Sequence, residues 1–212
     1  MKIDKPKIPS QLMELNVSTL IEVEEERFIS RGMVSEWNVF ELPERKISFD
    51  QIHFFDVSFG ETRFEQVEFI DCKFERCDLS NVDFGDAIFH RVEFQQSKLM
   101  GAQCTQSRFG HVLVDGCVAN YVAFSFSKFK QVKFENTSLN KADFLECALD
   151  KVFFNTCELD GVNFTDTSLA KIDLSTCTYG DLTVTVDKLD GCTVSTEQAI
   201  GFAKSLGLLI KE

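Results

Sequence analysis

A period of five residues dominates this chain and decides what it can fold into. Every fifth residue from Phe49 to Val194 is uncharged and almost always apolar, and of the thirty residues in this large column 16 are Phe and 8 are Leu. A second, small column lies two residues earlier and holds residues such as Ile52, Cys72 and Val82. Because five matches neither the helical nor the strand period, each quintet must bury two side chains and expose three. This pattern is typical of one short side of a coiled solenoid.

The quintets resemble those of a known family. Val82–Asp86 and Ala142–Glu146 match the A-[D/N]-[L/F]-x-x unit of pentapeptide-repeat proteins. The resemblance implies an all-β solenoid, the right-handed quadrilateral β-helix of that family, with four quintets per turn. We therefore expect a β-helix over residues 47–195, an N-terminal capping or packing segment over residues 1–46, and a C-terminal cap helix with a dimerisation tail over residues 196–212.

The C-terminal segment carries the signals of a helical cap. Ser195 and Gln198 are spaced as a capping box, and Gly207 is expected to end the helix. Residues 208–210 are apolar and predict a short strand. This apolar surface either covers the last coil or also joins two rods end to end. The N-terminal segment is expected to cap the first coil or to lie along one side.

The eight cysteines fit the same frame. Seven lie in the small column and Cys104 lies in the large one, which favours core filling over metal binding. Cys157 and Cys177 are one predicted turn apart, near enough for a disulfide, but a reducing cytoplasm disfavours that bond. His90 and His111 share a face without thiolates or carboxylates at metal spacing. With no catalytic motif present, the sequence predicts neither an enzyme nor a bound metal or cofactor.

Charge limits the partners. The chain has 34 acidic and 22 basic residues, a formal net charge of −12. This balance argues against direct binding of nucleic acid or an anionic membrane, and for a basic protein partner or simple solubility. No segment has the pattern of a signal peptide or the length of a membrane span. We therefore expect a cytoplasmic protein.

The outward charges can be sorted by face when a turn has twenty residues. The face that includes Phe49, which we call the basic face, has seven bases against six acids, and its bases are Arg91, Arg108, Lys128, Lys130, Lys151, Lys171 and Lys188. A neighbouring face, which we call the acidic face, has only Arg63 against its acids, which are Glu65, Asp83, Asp86, Asp143, Glu146 and Asp166.

The repeats form a rod whose charge can be compared with that of DNA. Thirty quintets predict a length of about 36 Å at strand spacing. Duplex DNA of that length carries about 21 phosphates, roughly twice the net negative charge of the repeats. A straight acidic rod of this kind would fit a basic DNA-binding groove.

The two ends and the uninterrupted repeats also resemble the quinolone-resistance (Qnr-like) branch of the family. The matching ending is Val194–Ile200 followed by Leu206–Leu208. The resemblance implies a cytoplasmic bacterial protein that dimerises through its C-terminus, binds DNA gyrase or topoisomerase IV as a DNA mimic, and protects it from fluoroquinolones. The acidic face would be the mimic surface, and the implied dimer contacts are Ile200, Phe202, Ala203, Leu206, Leu208, Leu209 and Ile210.

One departure from that branch leaves two possibilities open. Some members need loops that project from the coils, and this frame leaves no room for them. The chain is then either a loopless member or a protein that binds gyrase without protecting it. The alternative function is a cytoplasmic interaction scaffold with another protein partner, for which Tyr121 and Phe126 would supply an exposed contact.

Overall fold

The strands of this protein stack along one axis. The computed structural model describes residues 2–15, 28–35, 46–64, 66–205 and 207–211. They form a β-solenoid of about 7 turns followed by one helix. In chain order the elements are β1 (Met13–Glu14), β2 (Phe28–Ser35), β3 (Ser48–Phe55), β4 (Glu68–Ile70), β5 (Lys73–Glu75), β6 (Ile88–Gln95), β7 (Arg108–Asp115), β8 (Lys128–Glu135), β9 (Ala148–Asn155), β10 (Val162–Phe164), β11 (Leu182–Val184), a 3₁₀ turn (Val186–Lys188) and α1 (Thr196–Ser205).

The strand register confirms the four-sided coil. From β2 onward the paired strands are parallel and offset by twenty residues, from Phe28 opposite Ser48 to Val162 opposite Leu182. Twenty residues are four quintets, so each turn has four sides and equivalent residues lie directly above one another. The same offset holds at the isolated bridges between the longer strands. No loop is inserted between the coils that the structure describes.

The large column fills the interior with stacked rings. Successive rings on the side that includes β3 have centroids 4.7–5.4 Å apart and nearly parallel planes. This spacing matches the distance between hydrogen-bonded strands, so backbone ladder and ring stack reinforce each other. Each buried Phe contributes about 1.5–3 kcal/mol by leaving water. The rings of this stack are Phe49, Phe69, Phe89, Phe109 and Phe129.

The core-filling interpretation of the cysteines is confirmed. Seven are buried and Cys192 is half-buried, and all eight are free thiols. Cys157 and Cys177 lie on adjacent coils, and a hydrogen bond between their thiols, together with burial, raises the pKa of Cys157.

The ladder begins earlier than the repeat frame read from the sequence. In β2, Ile29 pairs with Phe49 and Val34 pairs with Phe54, so both belong to the large column although they precede residue 47. The sequence hid this continuation because Glu44 places a charge at the column position between them and Phe49.

The C-terminal cap forms as the sequence indicates. The backbone N–H of Ser195 donates to Oε1 of Gln198 at 2.8 Å, and the N–H of Gln198 donates to Oγ of Ser195 at 3.2 Å, which is the predicted capping box. Nε2 of Gln198 also donates to two carbonyls of the last coils, Leu174 at 3.0 Å and Cys177 at 2.9 Å. Gly207, with φ of +82°, follows the helix and supports the predicted end.

The prediction of a strand over residues 208–210 is wrong. These residues have no regular secondary structure and are exposed, and the backbone N–H of Leu208 donates to the carbonyl of Ala203 in the helix.

Left-handed residues close the corners of the coil. The outward residue before most corners has a φ between about +50° and +70°, a conformation that glycine adopts most easily. Gly101 illustrates the need, since a Cβ there would approach Oδ1 of Asn81 to 2.5 Å. Tyr121 and Phe126 occupy equivalent positions with φ of 60° and 62°, which is unusual for bulky residues.

Candidate partner-binding surfaces

The acidic face presents three carboxylates at one corner of the rod. Asp86, Glu146 and Asp166 are exposed and lie in one column parallel to the rod axis. Their left-handed backbone points the side chains away from the coil. The two positions between Asp86 and Glu146 in this column are Gln106 and Phe126. At about 4.8 Å per coil, Asp86 is therefore separated from Glu146 by about 14 Å of uncharged corner.

Two other carboxylates of the acidic face, Asp83 and Asp143, stabilise turns. Asp143 is half-buried and accepts from Oγ of Ser125 at 2.7 Å, Nδ2 of Asn163 at 2.8 Å and the backbone N–H of Leu145 at 3.1 Å. These bonds occupy both of its oxygens. The charge of Asp143 is therefore less available to a partner than that of Glu146.

Asp83 has the equivalent role near the start of the face. It accepts from the backbone N–H of Gly85 at 2.9 Å and lies 3.4 Å from Nε of Arg63. The predicted contact Glu65 lies outside the described residues. Sequence reasoning treated the acids as one set because it could not separate those that close a turn from those that point outward.

The predicted dimer contacts form an exposed apolar tail with one anchored part. Leu209 is 99% exposed, and Ile200, Leu208 and Ile210 are also exposed. Phe202 is instead half-buried, with its ring 6.2 Å from that of Tyr179. Ala203 is half-buried as well, and Leu206 lies outside the described residues. The helix therefore packs on the rod, while the apolar side chains of the tail beyond it are exposed.

An N-terminal strap, which the sequence placed only in general terms, lies along a corner of the basic face. We define the strap as residues 2–12. The backbone N–H of Lys7 donates to Oδ1 of Asp71 at 2.9 Å, and its carbonyl accepts from Nε2 of Gln51 at 3.0 Å. Farther along, the backbone N–H of Asp4 donates to Nδ1 of His111 at 3.3 Å. The strap thus runs lengthwise over several coils.

A buried ion pair holds the strap. Asp71 is 4% exposed, and Nε and Nη2 of Arg91, one coil away, donate to its two oxygens at 2.5 and 2.7 Å. Burial alone would raise the pKa of Asp71, but the hydrogen bonds from Arg91 and from the backbone of Lys7 outweigh it and lower that pKa. Asp71 and Arg91 are twenty residues apart, so their contact is predictable from the repeat, whereas the contact with Lys7 is not.

The two histidines on this side contact the ion pair and the strap. The rings of His90 and His111 are 5.9 Å apart, His90 contacts Arg91, and Nδ1 of His111 is 3.6 Å from Oδ2 of Asp4. Burial and the neighbouring Arg91 lower the pKa of His90. The two imidazole rings are therefore packed between the strap and the ion pair of Asp71 and Arg91.

A parallel solenoid with four quintets per turn and Phe or Leu at the centre of most quintets defines the class of right-handed quadrilateral β-helices. Two family models match the chain: a pentapeptide repeat region over residues 87–164, and pentapeptide repeats in nine copies over residues 49–97. Together they span more than half of the 212 residues. The chain belongs to the pentapeptide-repeat family.

Three solved structures illustrate what the chain is similar to. QnrB1, a plasmid-mediated fluoroquinolone resistance protein, is 16% identical over 84% of this chain and 100% of its own, with a TM-score of 0.36. HetL, involved in heterocyst differentiation regulation in the cyanobacterium Nostoc sp. strain PCC 7120, is 12% identical over 79% and 85%, with a TM-score of 0.36. A pentapeptide repeat protein of the Arabidopsis thaliana thylakoid lumen is 21% identical over 46% and 64%, with a TM-score of 0.37.

These likenesses assign no function. No curated protein sequence matches the chain. Within the part of the chain that the structure describes, no helix is long and apolar enough to cross a bilayer.

Proposed function

We propose that this protein is a non-enzymatic DNA mimic that binds DNA gyrase or topoisomerase IV in the bacterial cytoplasm and protects it from fluoroquinolones. The observation that carries the proposal is the column of exposed carboxylates formed by Asp86, Glu146 and Asp166 on a rod whose coils repeat at a constant offset. A basic groove that binds the phosphate backbone of DNA would attract this column of carboxylates through the same long-range electrostatic field that attracts DNA.

The proposal includes a dimer. The apolar tail at residues 208–210 is exposed next to a helix that already caps the coil. Exposed contiguous apolar surface of this kind favours association with a second copy. Two rods joined through their tails would form a longer acidic rod, which suits the two-fold symmetry of a type II topoisomerase.

A matched pair of triple variants tests the mimicry. Asp86→Lys, Glu146→Lys and Asp166→Lys reverse the exposed column without removing the hydrogen bonds of Asp83 or Asp143. The matched control reverses three exposed carboxylates on other faces, Glu61→Lys, Asp181→Lys and Asp190→Lys. Both triples change the net charge by the same amount, so only position distinguishes them.

Gyrase affinity and supercoiling in the presence of ciprofloxacin are then measured for the parent and both variants. We expect the column variant to bind gyrase at least about tenfold more weakly, because three opposed charge pairs become repulsive. The control should bind within about threefold of the parent. Equal losses in both variants, or unchanged binding in the column variant, would contradict the mimicry. Binding without rescue of supercoiling would restrict the function to gyrase binding.

A second candidate function rests on the two exposed aromatic corners. Tyr121 and Phe126 are 55% and 45% exposed and hold a backbone conformation that costs bulky residues energy. Exposed aromatics are typical contacts of protein interfaces. An interaction scaffold would lose its partner on Tyr121→Ala, whereas DNA mimicry predicts little change, because Tyr121 lies outside the column that contains Asp86, Phe126 and Glu146.

A further inference from the structure

The strap shows how an extended peptide lies on the corner of the basic face. Asp4 and Lys7 are three residues apart, and their partners His111 and Asp71 are two coils apart along one column. Three residues of extended chain span about 10 Å, and two coils also span about 10 Å. The strap is therefore extended and parallel to the rod axis, and side chains of the column bind its backbone groups.

The same column continues beyond the strap. After Gln51, Asp71, Arg91 and His111 it contains Gln131, Lys151 and Lys171 at successive coils. Within the described ranges, the last contact of the strap with this column is at His111. Gln131 carries the same amide group that Gln51 uses to bind the carbonyl of Lys7. The column thus contains a further amide side chain, that of Gln131, one coil past the last described contact with the strap.

Unpaired cations surround this continuation. We define the basic strip as five exposed side chains, none of which forms an ion pair with any residue that the structure describes: Arg108, Lys128, Lys130, Lys151 and Lys171. Asp150, opposite Lys130 in the ladder, is the carboxylate within the strip. Cations elsewhere on the rod, such as Lys73 and Lys133, contact a glutamate. The strip is therefore a concentration of unbalanced positive charge on a chain of net charge −12.

We propose that the basic strip binds an extended acidic peptide segment of a partner protein, which lies along the rod axis in continuation of the strap. Gln131 bonds the peptide backbone, and the five cations bind its carboxylates. This inference is independent of gyrase binding, because it concerns a different face.

Geometry and charge favour a peptide over duplex DNA. The strip is one face wide, and its first and last rows, at Arg108 and Lys171, are three coils or about 14 Å apart. A single extended chain fits that shape, as the strap does. A long polyanion would extend past the strip onto surface of the opposite character and be repelled by the net charge of the rod.

Fluorescence anisotropy with fluorescein-labelled hexaglutamate tests the proposal on the full chain. The strip variant carries Lys130→Glu, Lys151→Glu and Lys171→Glu. The matched control carries Lys141→Glu, Lys204→Glu and Lys211→Glu, which are exposed and lie outside the strip. Circular dichroism verifies that both variants are folded. A 20-base-pair DNA duplex with the same label is titrated in parallel.

We expect saturable peptide binding that weakens when NaCl rises from about 20 to about 200 mM. The strip variant should bind about tenfold or more weakly, and the control should stay within about twofold of the parent. Carbodiimide cross-linking should join the peptide to Lys130, Lys151 or Lys171. Equal losses in both variants, absence of saturable binding, cross-links confined to other lysines, or tighter strip-dependent binding of the DNA duplex would each overturn the proposal.

Discussion

Replacing Asp71 should release the strap before it unfolds the rod. In the Asp71→Ala variant, the N–H of Lys7 loses its carboxylate acceptor and Arg91 loses both of its bonds to Asp71. A hydrogen bond to a charged group contributes about 1.5–3 kcal/mol. The free energy of opening the strap should fall by that amount, and amide exchange at Lys7 should become about 10- to 150-fold faster.

The free energy of global unfolding should fall as well, but by less than for a fully buried pair. Breaking a buried ion pair costs about 3–5 kcal/mol when the remaining charge stays buried. The side chain of Arg91 is 20% exposed, so it can turn toward water, and we expect a loss near the lower end of that range. Urea unfolding followed by circular dichroism measures this value, and hydrogen exchange followed by NMR measures the local one.

The rod itself supplies a matched control. Asp56 and Arg76 form the same carboxylate–guanidinium pair one coil apart, but both are exposed and neither contacts the strap. Asp56→Ala should leave exchange at Lys7 unchanged. If Asp71→Ala left it unchanged as well, while the variant remained folded, the ion pair would not be what holds the strap. Asp71→Asn, which keeps the shape and removes the charge, should give an intermediate exchange rate.

Three further outcomes follow from the same structure. Folding lowers the pKa of Asp71, so the stability that its carboxylate gives to the strap is complete above the ordinary pKa of 3.8 and is lost as pH falls through the folded pKa. Protection of the Lys7 amide against hydrogen exchange should therefore persist down to about pH 4 and decrease below it. Phe144→Ala should lower the free energy of unfolding by about 3–5 kcal/mol in urea titrations and Phe144→Leu by less than about 1.5, because the column accommodates Leu139 without exposure. Leu209→Asp should dissociate a tail-to-tail dimer in sedimentation velocity without changing the urea midpoint measured at concentrations where the parent is monomeric, and a dimer that survives it would place the contact elsewhere.

The repeating part of the fold could be predicted because nearly every quintet buries one large and one small residue at the same two positions. Phe49, Phe69 and Phe89 fall in one column, and a buried column at a fixed offset leaves no alternative register. The capping box was equally predictable, since Ser195 and Gln198 act through local spacing. Sequence reasoning succeeds where the interaction depends on residues at a constant separation.

It falls short where the separation varies or a backbone group is involved. Glu44 concealed that Ile29 and Val34 continue the column. The contact between Lys7 and Asp71 joins residues 64 apart through a main-chain N–H that every residue possesses, so no side-chain pattern announces it. Asp143 and Glu146 have the same charge in the sequence, and only the turn geometry shows that one is engaged and the other free.

The lengthwise course of the strap also has a consequence for the order in which the rod comes apart. In a solenoid each coil touches only its neighbours, so unfolding can begin at either end and propagate coil by coil. The strap ties the coil of Gln51 to those of Asp71 and His111, and this end cannot fray one coil at a time without first losing those bonds. Among the described residues, the coils beyond His111 have no such lengthwise tie. The two ends of the rod therefore differ in local stability, and unfolding should start from the end that carries α1.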